Sequence, residues 1–347
     1  MTRHDPIVMD SNTSKRRHVD TDDRLGDLPN CLLHLILSYI GSWQAAQTMV
    51  LSRRWRHLFR DVPRVDIDDR ELVNGQDSWD CFEDFGDGLL MSIRPAAGLD
   101  VFCLHLASAG NDMAITDRWI RRGLRHFLVA VDIHAAHDRV IAWRPHSSTL
   151  WPGYKPGLSA CSAGHTRRLK TLRLVSVHVN LGFVEKLGHL CPAFKDFYAE
   201  SCDMRMLSVS SPTLRRLTVV NIRRTSAAPR MAAPRLASLC LEFLYNGEER
   251  DDMFRGRQAA SSDLLPALTE ASIRLLIPAA ATQVRRKLDF FKPGMDLNNS
   301  SMEDTNKCFI SLFPNIVKLH LQGFTTMVLL DIFNYATNIN SKLKICP

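Results

Sequence analysis

The chain has 347 residues, 45% of them hydrophobic and 23% charged, the profile of a folded protein long enough for two or more domains, which excludes global disorder. A formal charge of +7 and a pI near 9.0 permit attraction to nucleic acid or acidic proteins, but an excess this small over the whole length singles out neither. The nine cysteines are scattered, with no C-x-x-C pair and no secretory leader, and read as reduced thiols; no apolar run reaches the about 20 residues that a membrane-spanning helix needs.

Residues 1–23 form a polar leader that is expected to be disordered. Its densest basic cluster, Lys15-Arg16-Arg17-His18, reads as a solvated tail in preference to a nuclear-import signal. Pro29 suits the first position of a helix, after which Leu32, Leu33, Ile36, Leu37 and Ile40 recur at helical spacing until Gly41 ends the run. A second short helix carries Ala45, Ala46, Met49 and Val50. Ser52 caps a third that holds Trp55, Leu58 and Phe59 and is closed by Pro63. Three helices in about 40 residues are too few to bury so many large apolar groups, so the surplus needs a cover from this chain or from a partner. Trp55 among Arg53, Arg54 and Arg56 also has the composition of an interface hot spot.

The order L-P, L-L-x-x-I-L-S-x-I, A-x-x-x-x-x-L-S-R-R-W-R-x-L-F and P-x-V-D-I-D, spread over residues 24–68, resembles an F-box, in the form found in the plant F-box proteins with leucine-rich repeats. The resemblance implies docking on the Skp adaptor of a cullin-based ubiquitin ligase. It places Leu28, Pro29, Leu32, Ile36, Leu51, Arg54 and Trp55 at or just beneath the adaptor interface. Phe59 stands where a second tryptophan is usual, Trp43 where a polar residue is commoner, and Met49 where a smaller one is; all three keep or add apolar bulk.

Residues 69–98, rich in Asp and Gly, read as a variable linker. From 99 to 347 an apolar-x-x-apolar-x-apolar pattern recurs: VFCLHL (101–106), LVAVDI (128–133), LKTLRL (169–174), FKDFYA (194–199), LRRLTV (214–219), LASLCL (236–241), LTEASI (268–273) and IVKLHL (316–321), at steps between 20 and 48 residues. Each unit supplies a short strand with apolar residues inward and alternate residues outward. WIRRGL (119–124) and GFVEKLGHL (182–190) read as the helices between strands, and the prolines of CPAF, SPTL and APRL precede strands where no ladder N–H is lost. Those phrases resemble repeat starts of the same plant family as far as about residue 275. The expected fold is therefore α/β: a three-helix F-box followed by an irregular leucine-rich-repeat solenoid of short parallel strands with helical or irregular connections. Residues 327–337 read as a further helix and KLKICP as the start of a strand, so the array is expected to be a shortened one.

No catalytic motif is present, so the chain is expected to be a non-catalytic subunit with no cofactor and no metal. Cys31 and His34, one helical turn apart, lack a second pair of ligands. In V-D-I-D, Val65 and Ile67 alternate with Asp66 and Asp68, which with Asp69 read as a solvated face. Arg118, Arg121, Arg122 and Arg125 form a basic stripe read as the wet side of a helix whose Trp119 is core. Stacked strands bring outward positions into one row, and Arg173, Tyr198, Thr218, Cys240, Ser272 and His320 are the expected substrate-binding positions. The whole reads as the substrate receptor of a Skp–cullin–F-box ligase, cytoplasmic or nuclear. Its partners are the adaptor, through it a cullin, and a protein substrate; no membrane and no nucleic acid are expected. The rival is a nucleic-acid-associated or non-degradative repeat protein with a vestigial F-box.

Overall fold

The structure is a computed structural model describing residues 25–72, 79–94, 99–106, 113–135, 141–143, 167–179, 183–204, 208–222, 230–244, 265–276, 315–322 and 344–346. The polar leader, its basic cluster and the expected helix at 327–337 lie outside them.

Three helices open the described chain. α1 (Asn30–Tyr39) starts immediately after Pro29, which sits at the cap, one position earlier than the sequence suggests, and whose carbonyl accepts from Leu32 N and Leu33 N at 3.0 and 3.2 Å. α2 (Ser42–Gln47) runs into a 3₁₀ turn at Thr48–Val50. Ser52 Oγ accepts from Trp55 N at 3.4 Å and caps α3 (Arg53–Arg60), the expected N-cap geometry. Leu33, Leu37, Ala45, Trp55, Leu58 and Phe59 are buried and belong to one apolar core with the buried strand residues described below.

Fifteen strands follow among the described residues: β1 (Arg64–Asp68), β2 (Val101–Leu106), β3 (Ala130–Ala135), β4 (Ile141–Trp143), β5 (Thr171–Val175), β6 (Val177–Val179), β7 (Asp196–Glu200), β8 (Asp203–Met204), β9 (Ser208–Ser210), β10 (Arg216–Ile222), β11 (Arg230–Ala232), β12 (Ser238–Leu244), β13 (Glu270–Leu276), β14 (Lys318–Gln322) and β15 (Lys344–Cys346). Ten of them form one parallel sheet in the order β1-β2-β3-β5-β7-β10-β12-β13-β14-β15. All eight sequence repeats supply strands to it, and so does KLKICP. Its register aligns two inward rows. One runs through Val65, Phe102, Val131, Leu172, Phe197, Leu217, Leu239, Ala271 and Leu319. The other passes through Ile67, Leu104, Ile133, Leu174, Ala199, Val219, Leu241, Ile273 and Leu321, and every member of both is at most 2% exposed. Period-2 alternation thus buries one residue per strand per row, and stacking turns these into a continuous core that no single repeat could hold.

The three-helix unit is not a separate bead on this solenoid. Its last segment, V-D-I-D, is β1, the first strand of the sheet, paired along its length with β2. The stretch expected as a linker contains α4 (Trp79–Ser92), which buries Phe82, Gly86, Leu89 and Leu90. An aromatic chain then links the two regions: Trp43 of α2 meets Phe85 edge-on at 4.7 Å, Phe85 lies beside Phe82 at 6.3 Å, and Phe82 meets Trp119 edge-on at 5.7 Å. Trp119 belongs to α5 (Met113–Gly123) and is fully buried, as its sequence pattern suggests. Gly86 lets the helices close: a Cβ there would stand 2.6 Å from the Trp119 ring. Gly→Ala inside a helix ordinarily stabilises by about 1 kcal/mol. Here the rigid indole cannot yield, so the overpacking, about 1–3 kcal/mol, should outweigh that gain, and Gly86→Ala should lower the melting temperature. A rise in melting temperature would show that α4 and α5 are not packed this closely.

Behind the main sheet the coils are finished in two ways. β4, β6 and β8 form a small parallel ladder, with α5 against β4; β9 and β11 form a separate parallel pair, with α6 (Phe183–Leu190) packed on β9. Ser176, Ser201 and Asn221 adopt left-handed conformations (φ 57°, 51° and 54°) at the ends of β5, β7 and β10. Asn221 Nδ2 donates to Ser201 Oγ at 2.7 Å, and Ser176 N donates to Glu200 O at 2.8 Å, so neighbouring turns bond across the coils. Short polar side chains suit this corner because they tolerate φ > 0 and satisfy backbone groups locally.

Candidate functional site

Two surfaces stand out, one on the helices and one on the sheet. On α1, Leu32, Leu35, Ile36 and Tyr39 fall at i, i+3, i+4 and i+7 and form one apolar stripe, exposed by 44, 50, 39 and 82%. Leu33 and Leu37, on the adjoining face, are buried. The turn between α2 and α3 exposes Val50 and Leu51, by 82 and 64%, and Leu25 is half exposed ahead of α1. Of nine large hydrophobic residues exposed among the described residues, seven lie between 25 and 51. Intramolecular packing therefore covers only the inner half of the apolar surplus noted in the sequence. Such a concentration marks an interaction face.

The seven positions singled out by resemblance divide by depth. Leu32, Ile36 and Leu51 lie on the exposed face; Pro29 is exposed at the cap and Leu28 packs partly against the core. Trp55 is only 7% exposed and lies beneath that face, not on it. Arg54 is not a free rim cation. Its guanidinium donates to the carbonyls of Gly26 and Leu28 and to Asn30 Oδ1, the last at 2.7 and 3.1 Å. It thereby ties the segment before α1 to α3, because those carbonyls precede the helix and have no ladder to enter.

On the sheet, the six expected positions do share one register row: Arg173 faces Tyr198, then Thr218, Cys240, Ser272 and His320 in turn. Arg173 stacks over the Tyr198 ring at 4.5 Å and lies 4.0 Å from Glu200, whose Oε2 accepts from Tyr198 Oη at 2.6 Å. Burial and that carboxylate push the Tyr198 phenol up to about 12, so it stays a donor at neutral pH. The strongest cation of the row is thus already engaged. Flanking rows carry cross-strand ion pairs, Arg216–Asp196 and Lys318–Glu270, both at 2.7 Å.

The same row extends beyond the expected positions, through Asp132 and Cys103 to Asp66 on β1. Beside it a second row aligns His134, His105 and Asp68. The two histidine rings stack at 4.4 Å, His134 Nε2 lies 2.7 Å from Asp132 Oδ1, and His105 Nε2 lies 3.9 Å from Asp66 Oδ1. Burial, aided by His134, lowers His105 below the ordinary imidazole value despite the nearby aspartates. Burial pushes the Cys103 thiol up to about 12. Burial also works against the Asp68 carboxylate, but hydrogen bonds from Arg70 outweigh it and hold that group below its usual value. Asp66, Cys103 and His105 offer donor atoms all within 4.8 Å of one another. Cys31 and His34 form no such group among the described residues. The aspartates of V-D-I-D do face away from the core, as alternation requires, but they line this polar cluster instead of open solvent. Asp69, also expected to be solvated, is buried where the chain turns into the 3₁₀ segment Asp69–Leu72.

The basic stripe of α5 is likewise less open than expected. Arg118 pairs with Glu83 at 2.6 Å and Asp87 at 3.1 Å, and Arg122 with Asp87 at 2.7 Å. Asp87 also accepts from Trp119 Nε1 at 2.9 Å. α4 thus supplies the counter-charges, which a reading of α5 alone could not reveal.

Residues 25–66 match the F-box domain family. The MEIOTIC F-BOX protein MOF of Oryza sativa subsp. japonica is 32% identical over 325 residues, covering 89% of this chain and 62% of that protein. Two F-box/LRR-repeat proteins of Arabidopsis thaliana are 27% identical over 216 residues and 29% over 213, each covering 56% of this chain and 55% and 41% of their own lengths. The chain therefore spans between 41 and 62% of these curated relatives. No solved structure matches. Among the described residues no helix is long and apolar enough to cross a membrane.

Proposed function

From the premise that this chain carries an F-box and is related to plant F-box/LRR-repeat proteins, we propose that it is the substrate-receptor subunit of a Skp–cullin–F-box ubiquitin ligase, acting in the cytoplasm or nucleus. One observation carries the proposal: the matched domain leaves Leu32, Ile36 and Leu51 exposed together with Leu35, Tyr39 and Val50, an apolar face that a partner must cover. The adaptor docks there, with Leu28, Pro29 and Arg54 shaping its edge and Trp55 supporting it from beneath. A protein substrate lies along the row from Arg173 to His320. The subunit performs no chemistry of its own. It holds acceptor lysines near the charged conjugating enzyme and so raises their effective concentration.

Continuity of the fold supports this role. A receptor works by proximity only if its two ends keep a defined separation, and here β1 and the Trp43–Phe85–Phe82–Trp119 chain join the F-box to the repeats in one core. The nucleic-acid alternative loses its most regular basic surface, because Arg118 and Arg122 are paired with α4. The test is a bridging assay: the full chain should retain a purified cullin only when a Skp-type adaptor is added. Retention of cullin without adaptor, or none with it, would count against the proposal.

A further inference from the structure

We propose that Asp66, Cys103 and His105 form a binding site for a zinc-class divalent metal ion, at the junction of the F-box strand β1 and the first repeat strand β2. β1 and β2 pair in parallel, so Asp66 stands opposite Cys103, and His105, two residues on, projects from the same face. The three donor atoms lie within 4.8 Å of one another. A tetrahedral zinc shell, with bonds of about 2.0–2.3 Å, sets its donors about 3.5 Å apart. Asp66 Oδ1 and His105 Nε2, at 3.9 Å, are already close to that spacing.

The surroundings favour an ion over a self-contained polar cluster. Asp66 spends one carboxylate oxygen on Arg64, at 3.3 Å, while the other is buried and accepts no hydrogen bond. Leaving a charged acceptor unsatisfied in that way is costly. Asp132 and Asp68, next to these residues in the two register rows, add negative charge. Arg70, the nearest cation on the other side, gives its closest contacts to Asp68 (2.5 and 2.8 Å) and only a 3.4 Å approach to His105 Nδ1. A metal on Nε2 places the ring proton on Nδ1, and Arg70 then keeps Asp68 alone.

The donor chemistry selects the class of ion. One thiolate, one imidazole and one carboxylate suit a borderline-soft ion such as Zn²⁺, whereas Mg²⁺ and Ca²⁺ take all-oxygen shells. A water completes the fourth position, and the thiol proton of Cys103 is released to solvent on binding. Such an ion would staple the F-box to the first repeat. Sequence alone hides the site because residue 66 is distant from 103 and 105, and only the strand register brings them together.

The test is titration of the reduced, metal-free full chain with Co²⁺ alone, followed by absorbance, with Zn²⁺ as displacing ion. One equivalent should bind, with a thiolate-to-cobalt band that zinc abolishes. Cys103→Ser should lose the band. Asp66→Asn and His105→Gln, conservative changes at partly exposed positions, should keep the native circular dichroism and weaken binding at least about tenfold. Cys81→Ser, at an exposed cysteine of α4, should change nothing. A wild-type chain that binds no cobalt overturns the proposal. Binding that survives Asp66→Asn and His105→Gln at full affinity does so equally.

Discussion

Trp55→Ala costs the chain about 3–5 kcal/mol, read as a fall of roughly 5–10 °C in a thermal melt. Trp55 is 7% exposed and packs in one cluster with Leu33, Leu37, Leu58 and Phe59, so truncation leaves a cavity that two short helices cannot close. Adaptor affinity should fall with it, through loss of the folded F-box. Trp55→Phe separates the two effects. It refills most of the volume, and if Trp55 acts from beneath the face, Trp55→Phe should restore both stability and binding nearly to wild type. Weak binding by a Trp55→Phe chain that melts normally would place the indole in the interface instead.

Trp119→Ala should be as damaging, again about 3–5 kcal/mol, for a different reason. Trp119 is fully buried at the meeting of α4 and α5, edge-on to Phe82, and its Nε1 donates to Asp87 at 2.9 Å. Removing it breaks the aromatic chain between the F-box and the repeats while leaving the exposed stripe of α1 untouched. The expected result is a lower melting temperature and fast proteolytic cleavage near α4, with adaptor affinity little changed. Unaltered protease resistance would show that β1 alone holds the two regions together.

Much of this architecture was legible because solenoid strands repeat a simple alternation. Pairs such as Leu172 and Leu174, or Leu239 and Leu241, announce a strand by themselves, and the outward row follows from stacking. α4 escaped notice although Phe82, Gly86, Leu89 and Leu90 keep helical spacing, because its aspartates and glycines resemble a linker's. The role of β1 as the sheet's first strand was hidden for a similar reason: five residues closing the F-box motif gave no hint of a partner 37 residues later at Val101. Depth was the hardest property to read. Leu32 and Leu33 are neighbours of identical chemistry, yet one is 44% exposed and the other fully buried, a distinction set by the packing of α1 against α3. Likewise, nothing in R-R-W-R tells that Arg54 turns back to the carbonyls of Gly26 and Leu28.

The account rests most heavily on the exposed stripe of α1 and on Leu51. The decisive measurement is the affinity of a Skp-type adaptor for the wild-type chain and for a Leu32→Asp/Leu51→Asp double variant, with thermal melts of both. Because both side chains are exposed, the double variant should melt like wild type. Charging two apolar anchors should nevertheless weaken adaptor binding by roughly 100-fold or more. A double variant that binds the adaptor as tightly as the wild-type chain would contradict the assignment of this face.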